Sequence, residues 1–215
     1  MSIKIDLKIF GLVLILALGG QSHIYLMIFA FAIIHELAHL FCGLLLGLKP
    51  ENIKLMPVGL SVTFKRINVS WIKGMLVCLA GPLVNLIIAS SFMICDRNTQ
   101  GTIDIIYTNL LIGIFNLIPI IPLDGGRLIK MILKRFCLLE NAYRYLFIIS
   151  NVTMVILTII ASGFTIYLKN VFIPITIVYL WTIMFAENKK IKMESRIIPL
   201  LNMKANIDKN TIKYI

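Results

Sequence analysis

Charged side chains are scarce in this chain of 215 residues. Asp, Glu, Lys and Arg together make up 14% of it, whereas hydrophobic residues make up 59%. A soluble domain of average composition carries about 25% charged residues. The composition therefore excludes an ordinary soluble domain and indicates a protein that crosses a membrane several times.

Cysteine is also rare, and its spacing suggests no covalent framework. The four cysteines lie in or beside apolar segments and include no CxxC pair; they are Cys42, Cys78, Cys95 and Cys137. This pattern argues against a disulfide framework and against a zinc site made of cysteines. We expect four reduced cysteines that pack among apolar side chains.

The long apolar runs predict an all-α polytopic membrane protein with about six transmembrane helices. The first span is expected to be retained, because no small-residue cleavage site follows it. We expect residues 1–187 to form the membrane domain and residues 188–215 a basic cytoplasmic tail. The six predicted spans are about 8–21, 24–47, 73–95, 103–121, 144–166 and 170–186.

Basic residues outnumber acidic ones and give a formal net charge of +11. They are spread between the apolar runs instead of forming one basic domain, so no nucleic-acid partner is expected. With six spans, only Arg97 and Lys169 of the 21 basic residues fall on one side of the membrane. Because basic residues accumulate on the cytoplasmic side, both termini are expected there.

The second span contains the motif His-Glu-Leu-Ala-His at residues 35–39. An i, i+4 spacing places His35 and His39 on one helix face, where both imidazoles can bind one metal ion, and zinc is the first candidate. Glu36 beside them is the candidate general base. In a soluble helix these polar residues could simply face water and would need no metal. In an apolar span, each charged group at mid-bilayer costs roughly 2.5 to 3.5 kcal/mol on insertion scales. We therefore favour a metal site reached from the cytoplasmic half of the membrane.

A catalytic zinc needs a third protein ligand, and Asp124 is the best candidate. It lies in residues 116–127, Asn-Leu-Ile-Pro-Ile-Ile-Pro-Leu-Asp-Gly-Gly-Arg, where prolines and glycines break the fourth span. The alternative is an ordinary loop in which the aspartate caps the next helix. Asn116 is a second intramembrane polar group, which either binds the substrate or packs against a neighbouring helix.

Residues 53–64 alternate loosely between apolar and polar and contain Pro57 and Gly59. This composition suits an edge strand or a bent hairpin, although a plain loop is equally compatible with it. A transmembrane substrate must unwind before its peptide bonds become accessible. Strand addition at Pro57, Gly59 and their neighbours would hold such a substrate extended.

Taken together, the motifs resemble those of the site-2 protease family of intramembrane zinc metalloproteases. The similarity rests on residues 35–39, on 116–125 as the counterpart of the family's Asn-Pro-Asp-Gly region, on 54–62 as its membrane-dipping strand, and on 80–85, Ala-Gly-Pro-Leu-Val-Asn. It covers most of residues 24–135. The resemblance implies a zinc cofactor, a place in the bacterial cell membrane and a transmembrane or membrane-tethered protein as substrate, with membrane proteins as candidate inhibitors.

Within that family, the compact six-span form without a PDZ insertion is most similar to the stage IV sporulation protein FB type, here without a CBS domain. Such proteins process a membrane-associated pro-sigma factor, so sporulation is the implied role. Two other hypotheses stay open on the residues alone. One is a membrane metal or ion transporter that uses the same ligands, and the other is a catalytically silent scaffold that binds helices. The oligomeric state is not predicted.

Overall fold

Helices dominate the computed structural model, which describes residues 2–5, 22–56, 59–64, 70–95, 99–168, 174–189 and 192–193. By contacts along the backbone the chain divides into two compact units, Met1–Ile118 and Pro119–Ile215. The first contains β1 (Ser2–Ile5), α1 (Ser22–Leu45), β2 (Pro50–Met56), β3 (Gly59–Phe64), α2 (Trp71–Ile94) and α3 (Gln100–Asn116). The second contains α4 (Asp124–Phe136), α5 (Leu139–Leu168) and α6 (174–189).

Helix α1 ends in a Schellman motif. Gly47 has φ +75°, and the amide of Leu48 donates to the carbonyl of Gly43 at 2.9 Å. Glycine adopts this left-handed conformation without the steric cost of a Cβ atom, which is why the helix ends here. Lys73 at the start of α2 donates to the carbonyl of Leu46 at 2.9 Å. A side chain thus also provides a hydrogen bond to a carbonyl group at the end of α1.

The three strands form one sheet in the order β1-β2-β3. Strand β2 pairs with β1 in parallel and with β3 antiparallel, the second pairing being a hairpin with an irregularity between Pro50 and Asn52. The hairpin prediction for residues 53–64 is therefore confirmed, although β2 begins three residues earlier. The pairing of β1 was not predicted, because four residues near a terminus carry too little periodic signal. Pro57 lies outside the described residues.

Helices α2 and α3 pack closely against each other and against α1. Pro82 and Gly81 lie inside α2 and are buried. A Cβ atom at Gly113 of α3 would lie 3.3 Å from the carbonyl oxygen of Pro82, so the absence of a side chain lets the two backbones approach. This packing brings the middle of α3 onto the region of α2 that faces the histidines of α1.

In the second unit, α4 and α5 pack together around a small apolar cluster formed by Ile121, Tyr143 and Leu146. Helix α6 is linked to α5 by the indole of Trp181, which donates to Thr158 Oγ1 at 3.1 Å. Basic side chains lie on α4, which is amphipathic and only 13 residues long. Two of them, Lys130 and Lys134, lie over the ring of Tyr143 at 5.7 and 4.9 Å from its centroid.

The fold confirms the predominantly helical class, and three described helices are long and apolar enough to cross a membrane. They correspond to the second, third and fifth predicted spans and are Leu26–Leu45, Trp71–Ile94 and Glu140–Tyr167. The predicted fourth span, 103–121, is corrected to a 17-residue helix that ends at Asn116, because Pro119 and Pro122 cannot continue a helix. The predicted first span lies outside the described residues. Large apolar side chains are exposed along all three long helices, as expected for surfaces that face lipid.

Candidate metal centre

Two histidines of α1 face the same point inside the first unit. His35 and His39 lie one helical turn apart, and their exposed fractions are 3% and 5%. Their Nε2 atoms are 3.2 Å apart, and the rings are nearly perpendicular, with an interplanar angle of 86°. The i, i+4 spacing predicted this shared face.

The other ring nitrogen of each histidine is held by a partner from α2. His35 Nδ1 lies 2.7 Å from Asn85 Oδ1, and His39 Nδ1 lies 2.6 Å from the carbonyl oxygen of Val77. Both partner oxygens can only accept, so each Nδ1 carries the hydrogen and donates it. With hydrogen on Nδ1, a neutral imidazole can offer its Nε2 lone pair, which is the form that binds a metal.

Space for an ion beside these nitrogens depends on Gly81 of α2. A Cβ atom at this position would lie 2.5 Å from His39 Nε2 and 2.7 Å from His35 Nε2. Any other residue at position 81 would therefore push its side chain against the two coordinating atoms. The lone pairs and the missing Cβ together make a cradle that fits a metal ion.

Glu36 follows His35 directly on α1 and is half-buried. Its carboxylate is thus attached to the same helical turn as the first imidazole. In the H-E-x-x-H pattern this position supplies a general base beside the metal. The structure retains this arrangement, because the helix runs unbroken through residues 35–39.

Asp124 occupies the first turn of α4, in the second unit, and its exposed fraction is 4%. The chain reaches this point through residues 117–123, where Leu123 N donates to the carbonyl of Ile120 at 2.8 Å. A Cβ atom at Gly126 would lie 2.5 Å from that same carbonyl group, so glycine is needed for the loop to fold over the helix start. Arg127 Nη1 lies 3.5 Å from Asp124 Oδ1. The predicted break before Asp124 is therefore present, and a helix follows it.

Each of the three predicted ligands is buried, His35 and His39 in the first unit and Asp124 in the second. Two imidazole nitrogens and one carboxylate oxygen are the donors of the common catalytic zinc site, which keeps a further position for water. The chemistry of the donors thus fits zinc and fits calcium or magnesium poorly, since those ions prefer oxygen ligands only.

The predicted substrate-binding residues have different outcomes. Asn116 is half-buried at the end of α3, and its Nδ2 donates to the carbonyl of Ile112 at 2.9 Å. This bond lies within α3, so it tests neither substrate binding nor packing against a neighbouring helix. Gly59 is the first residue of β3, and Pro57 is outside the described residues. Their roles in binding a substrate stay predictions.

Sequence reasoning missed two contributors to the site, Val77 and Asn109. Val77 acts through its backbone carbonyl, which no side-chain pattern can reveal. Asn109 is fully buried on α3 and receives a hydrogen bond from Asn85 at 2.8 Å. A polar amide inside an apolar helix was a detectable signal, because such residues in membrane helices usually have a structural or catalytic partner.

Comparisons with known proteins agree with this geometry. The peptidase family M50 model matches residues 101–160. A zinc metalloprotease of Methanocaldococcus jannaschii is 33% identical over 153 residues, which cover 63% of this chain and 44% of that protein. A second relative, from Synechocystis, is 34% identical over 115 residues, which cover 50% of this chain and 30% of its own length. The matched part of this chain thus spans less than half the length of either curated relative.

The fold is similar to that of a solved structure, the site-2 protease from Methanocaldococcus jannaschii. The TM-score is 0.63 at 23% sequence identity, and the match covers 86% of this chain and 90% of that one. The chain is thus similar in sequence to zinc metalloproteases of peptidase family M50 and similar in fold to a site-2 protease.

Proposed function

We propose that the protein is an intramembrane zinc endopeptidase that cleaves a transmembrane or membrane-tethered protein. The observation that carries this proposal is the pair of Nε2 atoms, 3.2 Å apart, beside the space left by Gly81. His35, His39 and Asp124 would hold the ion. Bound zinc would lower the pKa of a water molecule toward neutrality and polarise the peptide carbonyl.

Glu36 supplies the proton transfers that peptide hydrolysis requires. Its carboxylate takes a proton from the attacking water and returns it to the nitrogen of the departing amine. The two histidines meanwhile keep their Nδ1 hydrogens on Asn85 and Val77 and take no part in proton transfer.

The substrate is held as an extended strand. A transmembrane helix hides its carbonyl groups in i to i−4 hydrogen bonds, so it must unwind before hydrolysis. Strand β3, which begins at Gly59, is paired on one side by β2 and is an edge of the sheet among the described strands. It also packs against α1, with the ring of Phe64 against Gly43, one turn beyond His39. We propose that Pro57 and Gly59 shape this edge so that substrate backbone can pair with it.

Asn116 is proposed to contact the same substrate backbone through Oδ1. Its amide nitrogen already donates within α3 to Ile112, whereas no described residue donates to its oxygen. An amide oxygen accepts a hydrogen bond from a peptide N–H. This contact would orient the unwound segment without stabilising the developing oxyanion, which needs a donor.

We propose six membrane crossings, with both termini and the catalytic entrance on the cytoplasmic side of a bacterial cell membrane. The basic face of α4 supports this orientation, since four basic residues follow Asp124 in that short helix, at 127, 130, 134 and 135. Lys73, at the start of α2, lies on the same side as these residues in the six-span topology.

A cleavage assay tests the proposal. The protein is purified, reconstituted in liposomes with a tagged single-span precursor, and compared with Glu36→Gln and with Glu140→Gln, an exposed glutamate in the first turn of α5. The wild type and Glu140→Gln should shorten the precursor, and Glu36→Gln should not, although it retains zinc. Cleavage by Glu36→Gln would refute the role of Glu36 as general base, and zinc flux into liposomes without any cleavage would favour the transporter hypothesis. Because the sequence resembles the stage IV sporulation protein FB type, a membrane-associated pro-sigma factor is the first precursor to test.

A further inference from the structure

A chain of buried hydrogen bonds leads away from His35 through two helices. His35 Nδ1 is bonded to Asn85 Oδ1 at 2.7 Å. Asn85 Nδ2 donates to Asn109 Oδ1 at 2.8 Å, and Asn109 Nδ2 donates to the carbonyl of Ile105 at 2.9 Å. Both asparagines have an exposed fraction of 0%. Helices α1, α2 and α3 are thus joined by one line of polar contacts inside an apolar unit.

The donor-to-acceptor direction of this series of hydrogen bonds is fixed at Ile105, the end farthest from His35. The carbonyl of Ile105 can only accept, so the nitrogen end of the Asn109 amide must face it. Asn109 Oδ1 then faces Asn85 and requires a donor there, which places the nitrogen end of Asn85 toward Asn109. Asn85 Oδ1 in turn faces His35 and requires that Nδ1 carry the hydrogen. One backbone carbonyl therefore determines the protonated nitrogen of His35 through two amide groups.

We propose that Asn85 and Asn109 are positioning residues that hold His35 in the tautomer with hydrogen on Nδ1, in which Nε2 can offer a lone pair to the metal. This inference rests on the proposed zinc function. Asn109 acts on His35 through its hydrogen bond with Asn85. An asparagine amide can rotate by 180° and exchange its oxygen and nitrogen. Without Asn109, the Asn85 amide would be free to present its nitrogen to His35, and that orientation favours hydrogen on Nε2.

The contrast with His39 explains why the chain is needed. His39 Nδ1 donates directly to the backbone carbonyl of Val77, a group that cannot rotate to become a donor. His35 has a side-chain partner, whose two ends are nearly equal in shape. A second amide, anchored to a helix carbonyl, removes that ambiguity. Loss of Asn109 is therefore expected to change the tautomer of His35 and leave that of His39 unchanged.

The tautomer can be measured without changing either asparagine. The chain has three histidines, and a His23→Gln background leaves two imidazoles in protein labelled with nitrogen-15. Spectra of the metal-free protein at about pH 8, where ordinary imidazoles are neutral, distinguish hydrogen on Nδ1 from hydrogen on Nε2. His35 should carry it on Nδ1, where Asn85 Oδ1 accepts. Hydrogen on Nε2 of His35 in this protein would overturn the proposal without any variant at the asparagines.

Zinc affinity measured by chelator competition tests the two asparagines separately. Loss of a partner that orients a ligand typically lowers metal affinity about 10- to 100-fold. Asn85→Ala and Asn109→Ala should fall in this range, and Asn109→Ala should also move one imidazole to the Nε2-protonated form. Asn85→Asp should lose less affinity than Asn85→Ala, because a carboxyl oxygen still accepts from Nδ1 even though a carboxylate offers no donor to Asn109 Oδ1. The control is Asn151→Ala, which removes an amide bonded to its own helix, at Phe147, and should not change affinity.

Failure of this inference is distinguishable from failure of the proposed function. If wild type binds stoichiometric zinc, and Asn109→Ala keeps both the affinity and the tautomer, Asn109 has no positioning role while the zinc site stands. If Asn85→Asp loses as much affinity as Asn85→Ala, acceptance from Nδ1 is not the role of position 85. If wild type binds no zinc, the proposed function itself is wrong, and the tautomer spectra still decide whether the hydrogen-bond chain sets the state of His35.

Discussion

Replacing Gly81 by alanine is the sharpest single perturbation of the proposed metal centre. The new Cβ atom would lie 2.5 Å from His39 Nε2 and 2.7 Å from His35 Nε2, where ordinary contact begins at 3.4 Å. Each nitrogen must therefore move by roughly 0.7 to 0.9 Å, whereas zinc ligands tolerate about 0.2 Å. Neither imidazole can yield easily, because Asn85 and Val77 hold their Nδ1 atoms.

The expected result is a loss of zinc affinity and of cleavage. A displacement near 1 Å can lower the rate about 100-fold, which corresponds to roughly 2.7 kcal/mol of transition-state stabilisation. Zinc content after dialysis against a chelator and cleavage of a tagged precursor in liposomes measure the two effects. The matched control is Gly163→Ala on α5, where an added Cβ atom meets nothing within 4 Å.

Measurements of folding stability distinguish the predicted loss of zinc from simple misfolding. An alanine in the middle of a helix is favoured over glycine by about 1 kcal/mol, so Gly163→Ala should keep its activity and unfold no more easily than wild type. Gly81→Ala should lose zinc while the helices remain folded by circular dichroism. Wild-type zinc affinity in folded Gly81→Ala protein would refute the close approach of Gly81 to the two Nε2 atoms.

Four further outcomes follow from the same geometry. Asp124→Ala should lower zinc affinity at least about tenfold with the helices intact, as measured by chelator competition; undiminished affinity would remove Asp124 from the ligand set. A chelator should abolish cleavage and added zinc should restore it, and activity that persists in demonstrably metal-free protein would contradict a metalloprotease. Asn116→Leu should raise KM for the precursor more than it lowers kcat, since the proposed contact is with substrate backbone; an effect on kcat alone would argue against that contact. Gly126→Ala should lower the melting temperature, because its Cβ would lie 2.5 Å from the Ile120 carbonyl, and an unchanged melting curve would show that the loop can shift.

Most of the histidine arrangement could be predicted from the sequence, because helical periodicity alone places residues 35 and 39 on one face. The break before Asp124 was equally visible, since proline and glycine act locally on the backbone. The end of α3 was placed five residues too late for a related reason. Apolar residues continue to 121 and extend the hydropathy signal, whereas the prolines at 119 and 122 decide where the helix can end.

The hydrogen-bond partners of the imidazoles could not be predicted in the same way. Asn85 and Asn109 lie 24 residues apart in the chain, and their contact depends on how α2 and α3 pack around Pro82 and Gly113. Val77 contributes a carbonyl whose availability depends on three-dimensional placement. The parallel pairing of β1 with β2 likewise joins residues about 50 positions apart, which local periodicity does not encode.

The central claim is that two imidazoles of α1 and the carboxylate of Asp124 hold one zinc ion. X-ray absorption at the zinc edge of the purified, detergent-solubilised protein tests it most directly. The expected spectrum contains two imidazole nitrogens and carboxylate oxygen at about 2.0 to 2.2 Å, with no sulfur near 2.3 Å, and the imidazole contribution should disappear in His35→Ala/His39→Ala protein. Absence of stoichiometric zinc, a sulfur ligand, or an imidazole signal that survives in the double variant would contradict the account.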